Sequence, residues 1–236
     1  MKRLLIDAGN TNIKLAKVDG GRWLAQHSVP TAVGLDTSCC LDVDEVWVSN
    51  VAGKAVGQHI VSACASLPVH FIAAQHMQCG VRNGYAVPQQ LGCDRWAALI
   101  YAWHRVGRAC LVVNSGTATT VDALSDRGEF LGGLILPGIE LMGACLGSAA
   151  ANLQQCVGDY ASFPRNTADA MRSGAIQASC GAIARQYELL GVQDAPVLLG
   201  GGAAPLLLQH LNLPAKIMDN PVLRGLSLIA SEAGDA

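Results

Sequence analysis

Charge is scarce in this chain. Only 14% of its 236 residues are Asp, Glu, Lys or Arg, and the signs nearly cancel at a net −2. A typical soluble domain carries about 25% charged residues. With no basic excess to neutralise a phosphate backbone, no nucleic-acid partner is expected. Disorder is excluded too, because disordered chains combine low hydrophobicity with high charge and 51% of this one is apolar. Long apolar runs are also missing. The least charged stretch, Leu131 to Leu153, is broken by Pro137, Glu140 and five glycines. A spanning helix needs about 18 or more clean apolar residues, so no membrane partner is expected. The opening Met1-Lys2-Arg3-Leu4-Leu5-Ile6-Asp7 lacks the apolar core of a secretory signal. The nine cysteines include no C-x-x-C pair, and the adjacent Cys39-Cys40 is not a zinc spacing. They read as reduced thiols of a cytoplasmic protein. A Walker A loop is absent as well.

What the chain has is glycine, 26 residues of it, without a collagen period. That implies tight turns and close backbone approaches. The length suits one large domain or two of roughly 100–150 residues. Alternation predicts a strand from Arg3 to Asp7, a polar turn at Ala8-Gly9-Asn10-Thr11-Asn12, a strand from Ile13 to Val18, a turn at Asp19-Gly20-Gly21, and a third strand from Arg22 to Val29. Further strands are predicted at Glu45 to Val51 and Val69 to Ala73, with a helix between them over Gly53 to Leu67. Gln78 to Leu91 reads as loop, and a helix opens at Asp94 and runs to about Val106.

The pattern then returns. A strand at Cys110 to Val113 leads into Asn114-Ser115-Gly116-Thr117-Ala118-Thr119-Thr120, a second strand covers Val121 to Leu124, and a third Glu129 to Leu136. A shift of 107 positions aligns the two meanders without a gap. Gly9 meets Gly116, Asp19 meets Asp126, Gly21 meets Gly128, Trp23 meets Phe130, Leu24 meets Leu131, Pro30 meets Pro137, and Asp7 meets Asn114. The shared turn spacing favours duplication. Two similar lobes would face each other across a cleft, with the polar turns beside it. Lobes are expected at 1–110 and 111–236. The second continues with a helix from Thr167 to about Leu190, capped by Asn166 or Thr167. A strand at Pro196 to Leu199 follows, then Gly200-Gly201-Gly202, a helix over Ala203 to Leu211, and a helical tail from Asn220 to Ala233.

Four motifs can carry chemistry. In Asp7-Ala8-Gly9-Asn10-Thr11-Asn12-Ile13-Lys14 the turn amides can form an anion nest, Asp7 can hold Mg²⁺ and Lys14 adds positive charge. An ordinary Asn/Gly hairpin explains the same residues. The stretch from Asn114 to Asp122 sets four hydroxyls beside Gly116, which suits phosphate oxygens, and Asp122 suits a water-bridged metal. It also reads as a threonine-rich strand. In Gly92-Cys93-Asp94-Arg95, Asp94 is either a helix N-cap, worth about 0.5–2 kcal/mol, or a base for a substrate hydroxyl, with Arg95 holding a carboxylate or phosphate. Gly200-Gly201-Gly202 is either a simple turn or a flat surface for a nucleotide.

Together these residues resemble a known family. Asp7-x-Gly-Asn-Thr-x-x-Lys14, Asn83-x-Tyr85-x-x-Pro88-x-x-Leu91-Gly92-x-Asp94-Arg95, Gly116-Thr117-Ala118-Thr119-Thr120-x-Asp122, Gly132-Gly133-x-Ile135-x-Pro137-Gly138 and Asn166-Thr167-x-x-Ala170-Met171-x-x-Gly174 look like the motif set of the type III pantothenate kinases, in that family's order. The resemblance implies an α/β fold of two duplicated ribonuclease H-like lobes, as in the acetate and sugar kinase/Hsc70/actin superfamily. It implies ATP-dependent phosphorylation of pantothenate to 4′-phosphopantothenate, the first step of coenzyme A biosynthesis, by a cytoplasmic homodimer.

Carried over residue by residue, Asp7, Ala8, Gly9, Asn10, Thr11, Asn12, Ile13 and Lys14 resemble the first ATP loop and Thr117 a second ATP contact. Tyr85, Gly92, Cys93, Asp94 and Arg95 resemble the pantothenate pocket, with Asp94 as catalytic base. Thr167 resembles a pantothenate contact supplied by the neighbouring subunit. Gly200-Gly201-Gly202 resembles the nucleotide-side glycine loop. Asp7 and Asp122, on their own chemistry, are the candidate residues for the Mg²⁺ that accompanies ATP. The family usually has Asp where this chain has Asn114, at a place associated with a monovalent cation. Asn keeps the oxygen and loses the charge, which puts a K⁺ or NH₄⁺ requirement in doubt. The alternative readings are another small-alcohol kinase of the same fold and a non-catalytic accessory factor of the same family.

Overall fold

Three antiparallel strands open the chain because their residues alternate. β1 (Lys2–Ala8), β2 (Asn12–Asp19) and β3 (Arg22–Pro30) turn Leu4, Ile6, Ala8, Ile13 and Leu15 to one apolar cluster. Leu5, Ala16 and Val18 go to another. After a 3₁₀ turn at Thr37–Cys40 come β4 (Glu45–Asn50), α1 (Lys54–Ala63) and β5 (Val69–Phe71). β4 lies parallel to β1 and β5 parallel to β4, giving the order β3-β2-β1-β4-β5. A short hairpin of β6 (Met77–Gln78) and β7 (Val81–Asn83) leads through a 3₁₀ turn at Pro88–Gln90 to α2 (Cys93–Val106). This computed structural model describes residues 1–149 and 158–234.

The second meander is β8 (Cys110–Ser115), β9 (Ala118–Leu124) and β10 (Glu129–Pro137), followed by α3 (Ile139–Ala149) and α4 (Thr167–Leu190). β11 (Val197–Gly200), α5 (Ala204–His210), β12 (Ala215–Ile217) and α6 (Pro221–Gly234) complete the chain. β11 pairs in parallel with β8 and with β12, so these five strands run β12-β11-β8-β9-β10. Counted from each meander, both sets follow one order, third-second-first-fourth-fifth. Leu111, Val113, Val121, Ile176, Ile183, Val197 and Leu199 form the second core. Asn166 caps α4 by accepting from the Asp169 N–H at 2.9 Å, and Gly191 ends it in the left-handed region at φ 66.

The pairing registers refine the duplication. Asp7 to Asn114 and Pro30 to Pro137 are both steps of 107. But Asp7 pairs with Lys14 and Asn114 with Thr120, a step of 106. The gapless alignment therefore needs correction: the first turn is one residue shorter in the second copy, and the next turn is one longer. A shared irregularity supports the repeat. Between β2 and β3 the register skips Leu24, and between β9 and β10 it skips Leu131. Both leucines are pushed outward by the bulge, to 51% and 58% exposure.

The chain divides into two compact units, Met1–Arg105 with Asn220–Ala236, and Val106–Asp219. This differs from the expected lobes at 1–110 and 111–236, because the last helix returns to the first unit. The physical reason is an uncovered sheet face: Leu223 and Leu226 of α6 pack on Leu5, Ala16 and Val18. The structure also adds α3, β6, β7 and β12, short or glycine-rich elements that local periodicity does not predict.

Two helical glycines should respond oppositely to Ala. At Gly225 on α6 a Cβ would collide with the Ala97 carbonyl group of α2, whereas at Gly181 on α4 it would meet open space. Gly225→Ala is expected to destabilise by about 1–3 kcal/mol. Gly181→Ala is expected to stabilise by about 0.5–1 kcal/mol through helix propensity. Urea unfolding midpoints read both signs.

Candidate active site

In the first unit, β1 and β4 end side by side, with Asp7 opposite Ser49 and Ala8 opposite Asn50. Carboxyl ends of adjacent parallel strands are where α/β sheets bind ligands. Burial pushes the Asp7 carboxyl up to about 7; Lys14, across from it on β2, pulls the other way, and Asp94 pushes it further up. Asp94 stands in the first turn of α2. Its Oδ1 accepts from the Arg95 N–H at 2.8 Å, satisfying one of the orphan amides of the helix start. Burial raises its pKa, and the Arg95 amide and guanidinium restrain the rise. The helix-start role and a role as base are thus compatible in one side chain. Gly92 is required by the same geometry, since a Cβ there would lie 2.6 Å from Asp94 Oδ1.

Arg95 is only 6% exposed. Its Nη1 donates to the Tyr85 hydroxyl at 3.3 Å, and the guanidinium carbon is 5.9 Å from the ring centroid, toward the hydroxyl end. The loop carrying Tyr85 is folded around Asn83, which is 4% exposed. Asn83 Nδ2 donates to the Pro88 carbonyl at 3.2 Å, and its Oδ1 accepts from the Tyr85 N–H at 3.0 Å. The Cys93 Sγ lies 3.3 Å from the Oγ of fully buried Ser49, and burial pushes its thiol up. Asp7, Tyr85, Gly92, Cys93, Asp94 and Arg95 therefore belong to one unit built on β1, β4 and the start of α2.

The first polar turn is braced from within. Gly9 N–H donates to the Asn12 carbonyl at 3.1 Å, and Thr31 holds Thr11 and Gly9 through their carbonyls at 2.9 and 2.7 Å. Asn10, Thr11 and Asn12 are exposed. Ala8 and Ile13, included among the expected ATP contacts, are fully buried in the apolar cluster. Only their backbone can serve a ligand, because strand alternation turns their side chains inward.

The second unit builds its own turn. Ser115 Oγ and Thr119 Oγ1 lie 2.8 Å apart and are fully buried, and the Thr117 carbonyl accepts from Gly138 at 2.9 Å. Gly201 sits at φ 89 with the Ser115 backbone where its Cβ would be, and Ala203 N–H donates to the Ser115 carbonyl at 3.1 Å. The three-glycine loop is therefore a close-packed neighbour of the Asn114–Thr120 turn, while Gly202 opens to free space. Asp122 is 2% exposed and opposite Val112, deeper along the sheet than the Asn114–Thr120 rung. Thr167 is exposed on the first turn of α4, where Asn166 does the capping.

A divalent cation fits the Asp7 position. It supplies a hard oxygen donor at a strand end, and the raised pKa marks a carboxylate short of positive charge. Ser49 escapes motif reasoning, and Asn83 enters it only as a motif position without an assigned role. The signal for Ser49 is a polar residue ending an apolar strand, Val46-Trp47-Val48, that runs parallel to β1.

Asp7 also sets a pH dependence of folding. The unfolded chain holds this proton only below the ordinary 3.8, the folded one up to about 7. The folding advantage is full below the lower value and is lost as pH rises from about 4 to about 7. Asp7→Asn is therefore expected to stabilise the ligand-free protein at pH 8, on the order of a few kcal/mol, with the gain vanishing near pH 4. Urea unfolding at both pH values reads the difference; an equal gain at both would assign the effect elsewhere.

The profile of the family described as Type III pantothenate kinase matches residues 3–189. A type III pantothenate kinase from Nitrosomonas eutropha is 44% identical over 243 residues, covering 96% of this chain and 93% of its own. Another, from Aromatoleum aromaticum, is 45% identical over 237 residues, covering 97% and 98%. Among solved structures, a conserved Baf family protein from Campylobacter jejuni aligns with a TM-score of 0.64 at 22% identity, covering 99% of this chain and all of its own. That likeness, with the repeated strand order, gives a duplicated ribonuclease H-like α/β fold. Identity of this level along nearly the whole length, on that fold, means that the chain belongs to the type III pantothenate kinase family.

Proposed function

We propose that the protein transfers the γ-phosphate of ATP to the primary hydroxyl of pantothenate, making 4′-phosphopantothenate for coenzyme A synthesis. The observation that carries the reading at residue level is Asp94: a carboxyl with a raised pKa, fixed at a helix start, within electrostatic reach of Asp7 and adjacent to a buried Arg95.

Phosphoryl transfer requires positioning and charge neutralisation more than covalent help. Asp94 accepts the proton of the pantothenate hydroxyl as that oxygen attacks in line. Its raised pKa makes it a stronger base than an ordinary carboxylate. Arg95, oriented by Tyr85, pairs with the pantothenate carboxylate through its planar fork. The exposed Asn10–Asn12 turn and Lys14 are the first unit's candidate nucleotide contacts, and Thr117 and the Gly200–Gly202 loop are the second unit's. Asp7 would hold Mg²⁺ from the first unit, and Asp122 is the second unit's candidate carboxylate. Bound there, the ion would supply charge neutralisation for the nucleotide's phosphates. Asn114 offers an oxygen without charge, so no monovalent cation is assigned to it. A cytoplasmic homodimer is part of the proposal, with Thr167 of each subunit reaching the neighbour's pantothenate; its exposure at the start of α4 supports this.

Asp94→Asn is expected to lower kcat by about 10²–10⁴-fold with ATP binding retained. In the parent, the rate should fall as pH drops through the raised Asp94 pKa, and the variant should lose that limb. Coupled ADP release with pantothenate measures both, and an unchanged kcat would remove Asp94 from the chemistry. Arg95→Lys keeps the charge but not the fork. It should raise KM for pantothenate by about 10–100-fold, the equivalent of one charged hydrogen-bonded contact, with a smaller change in kcat. An unmoved KM would place the carboxylate elsewhere.

A further inference from the structure

Away from the proposed site, three cysteine sulfurs from two separate stretches of the first unit meet. Cys39 and Cys40 end the 3₁₀ turn, and Cys64 follows the last turn of α1. Cys40 Sγ lies 2.6 Å from Cys64 Sγ and 3.7 Å from Cys39 Sγ, and all three sulfurs fall within 4.8 Å of one another. Cys64 is buried, while Cys39 and Cys40 are half-buried and in reach of solvent.

The approach is held from several sides. The Asp36 carboxylate caps the turn by accepting from the Ser38 N–H at 2.9 Å. Lys17 Nζ, reaching across from β2, donates to the Leu41 carbonyl at 2.8 Å just after it. His59 of α1 accepts from the Leu35 N–H at 3.1 Å. Leu35, Val43 and Ile60 supply the apolar wall beside Cys64. The turn is thus tied to β2 and to α1, and the sulfurs are juxtaposed by the fold rather than by a loose loop.

We propose that Cys39, Cys40 and Cys64 form a hydroperoxide-reactive thiol relay that ends in a Cys40–Cys64 disulfide. In the first step the Cys39 thiolate attacks one peroxide oxygen. The S–O bond forms, the O–O bond breaks, and the departing oxygen takes a proton from water, leaving Cys39 as the sulfenic acid. Cys64 then attacks the Cys39 sulfur; the S–S bond forms, the S–O bond breaks, and hydroxide leaves with the Cys64 proton as water. Finally Cys40 gives its proton to the hydroxide left from the first step and attacks the Cys64 sulfur; the Cys40–Cys64 bond forms, the Cys39–Cys64 bond breaks, and Cys39 leaves as thiolate. Two thiols lose two electrons and two protons in total, and one hydroperoxide becomes water or an alcohol plus water.

The division of labour follows from chemistry and geometry. Hydrogen bonds from Cys64 and Cys40, with the charge of Lys17, pull Cys39 down to about 6 against burial, so it is largely thiolate at neutral pH. Cys64 is pushed the opposite way by donating to that thiolate. A direct Cys39–Cys40 bond is disfavoured because neighbouring Cα atoms are about 3.8 Å apart, short of the usual range of about 4.4–6.8 Å for disulfides. Cys40 and Cys64 already have their sulfurs in contact. Zinc is the poorer fit, since no fourth His, Cys, Asp or Glu donor joins the three among the described residues.

The test treats the reduced full-length protein with stoichiometric hydrogen peroxide, then alkylates and maps the peptides by mass spectrometry. Exposed Cys145 is the internal reference. Cys39 should oxidise about tenfold faster than Cys145, because its sulfur lies beside two further thiols and near Lys17. The product should be a Cys40–Cys64 cross-link that dithiothreitol reverses. Cys64→Ser should trap Cys39 as a dimedone-labelled sulfenic acid, Cys40→Ser should accumulate a Cys39–Cys64 bond, and Cys39→Ser should slow oxidation to the reference rate. Cys39 is half-exposed and outside the proposed catalytic machinery, so retained kinase activity in Cys39→Ser certifies its fold. Oxidation of Cys39 no faster than Cys145, absence of any cross-link to Cys64, or a metal ion found on the three sulfurs that makes them inert to peroxide would each overturn the proposal.

Discussion

Two carboxyls sit partly out of water in the first unit, and their desolvation holds both above the ordinary carboxylate range. Asp7 is the last residue but one of β1, and Asp94 lies in the first turn of α2, whose first residue, Cys93, touches Ser49 near the end of β4. Lys14 tempers the first and the Arg95 amide the second. Neither compensation is complete, so both groups stay above the ordinary carboxylate range. A protein optimised for stability alone would replace one of them with an apolar or amide side chain. Keeping both makes sense if a cation and a substrate hydroxyl complete the site. The rigid parts serve that end. Gly92 leaves room for the Asp94 carboxyl, and Asn83 folds the loop that brings Tyr85 to Arg95.

Much of this was legible in the residues, and the failures have specific causes. The two meanders announce themselves by alternation and by turn glycines, and Leu24 and Leu131 align because both copies carry the same bulge. What alternation cannot supply is a one-residue change in turn length, because the flanking strands keep their period while the pairing slips. The return of α6 to the first unit is invisible for a different reason. The helix is amphipathic on its own evidence, but which sheet face it covers depends on a contact more than 200 residues away in sequence, Leu5 with Leu223. Ala8 and Ile13 were carried into the ATP loop by motif membership, whereas strand parity places their side chains in the core. Ser49 and Asn83 act through what they hold in place, and single-residue chemistry gives little sign of that.

The cysteines show the same limit from the other side. Spacing in sequence correctly excludes C-x-x-C chemistry, yet Cys39, Cys40 and Cys64 converge because a capped turn is tied down beside the end of a helix. Sequence arithmetic counts thiols; only the packing of α1 against the 3₁₀ turn brings them together.

The paired rungs at the strand ends differ between the two copies of the repeat. In the first copy the last two rungs are Asp7–Lys14 and Ala8–Ile13; in the second they are Asn114–Thr120 and Ser115–Thr119. The outer rung has no charge in the second copy on either strand. The inner rung changes in the opposite sense, from two apolar side chains to two hydroxyls. Both positions are fully buried in each copy, so the hydroxyls must satisfy each other, and they do, at 2.8 Å. Each copy thus presents a different end: an Asp–Lys rung in the first, a neutral amide and hydroxyl rung backed by close-packed glycines in the second. Divergence by whole rungs rather than by single residues is what lets a duplicated sheet specialise its two ends without leaving a buried group unpaired.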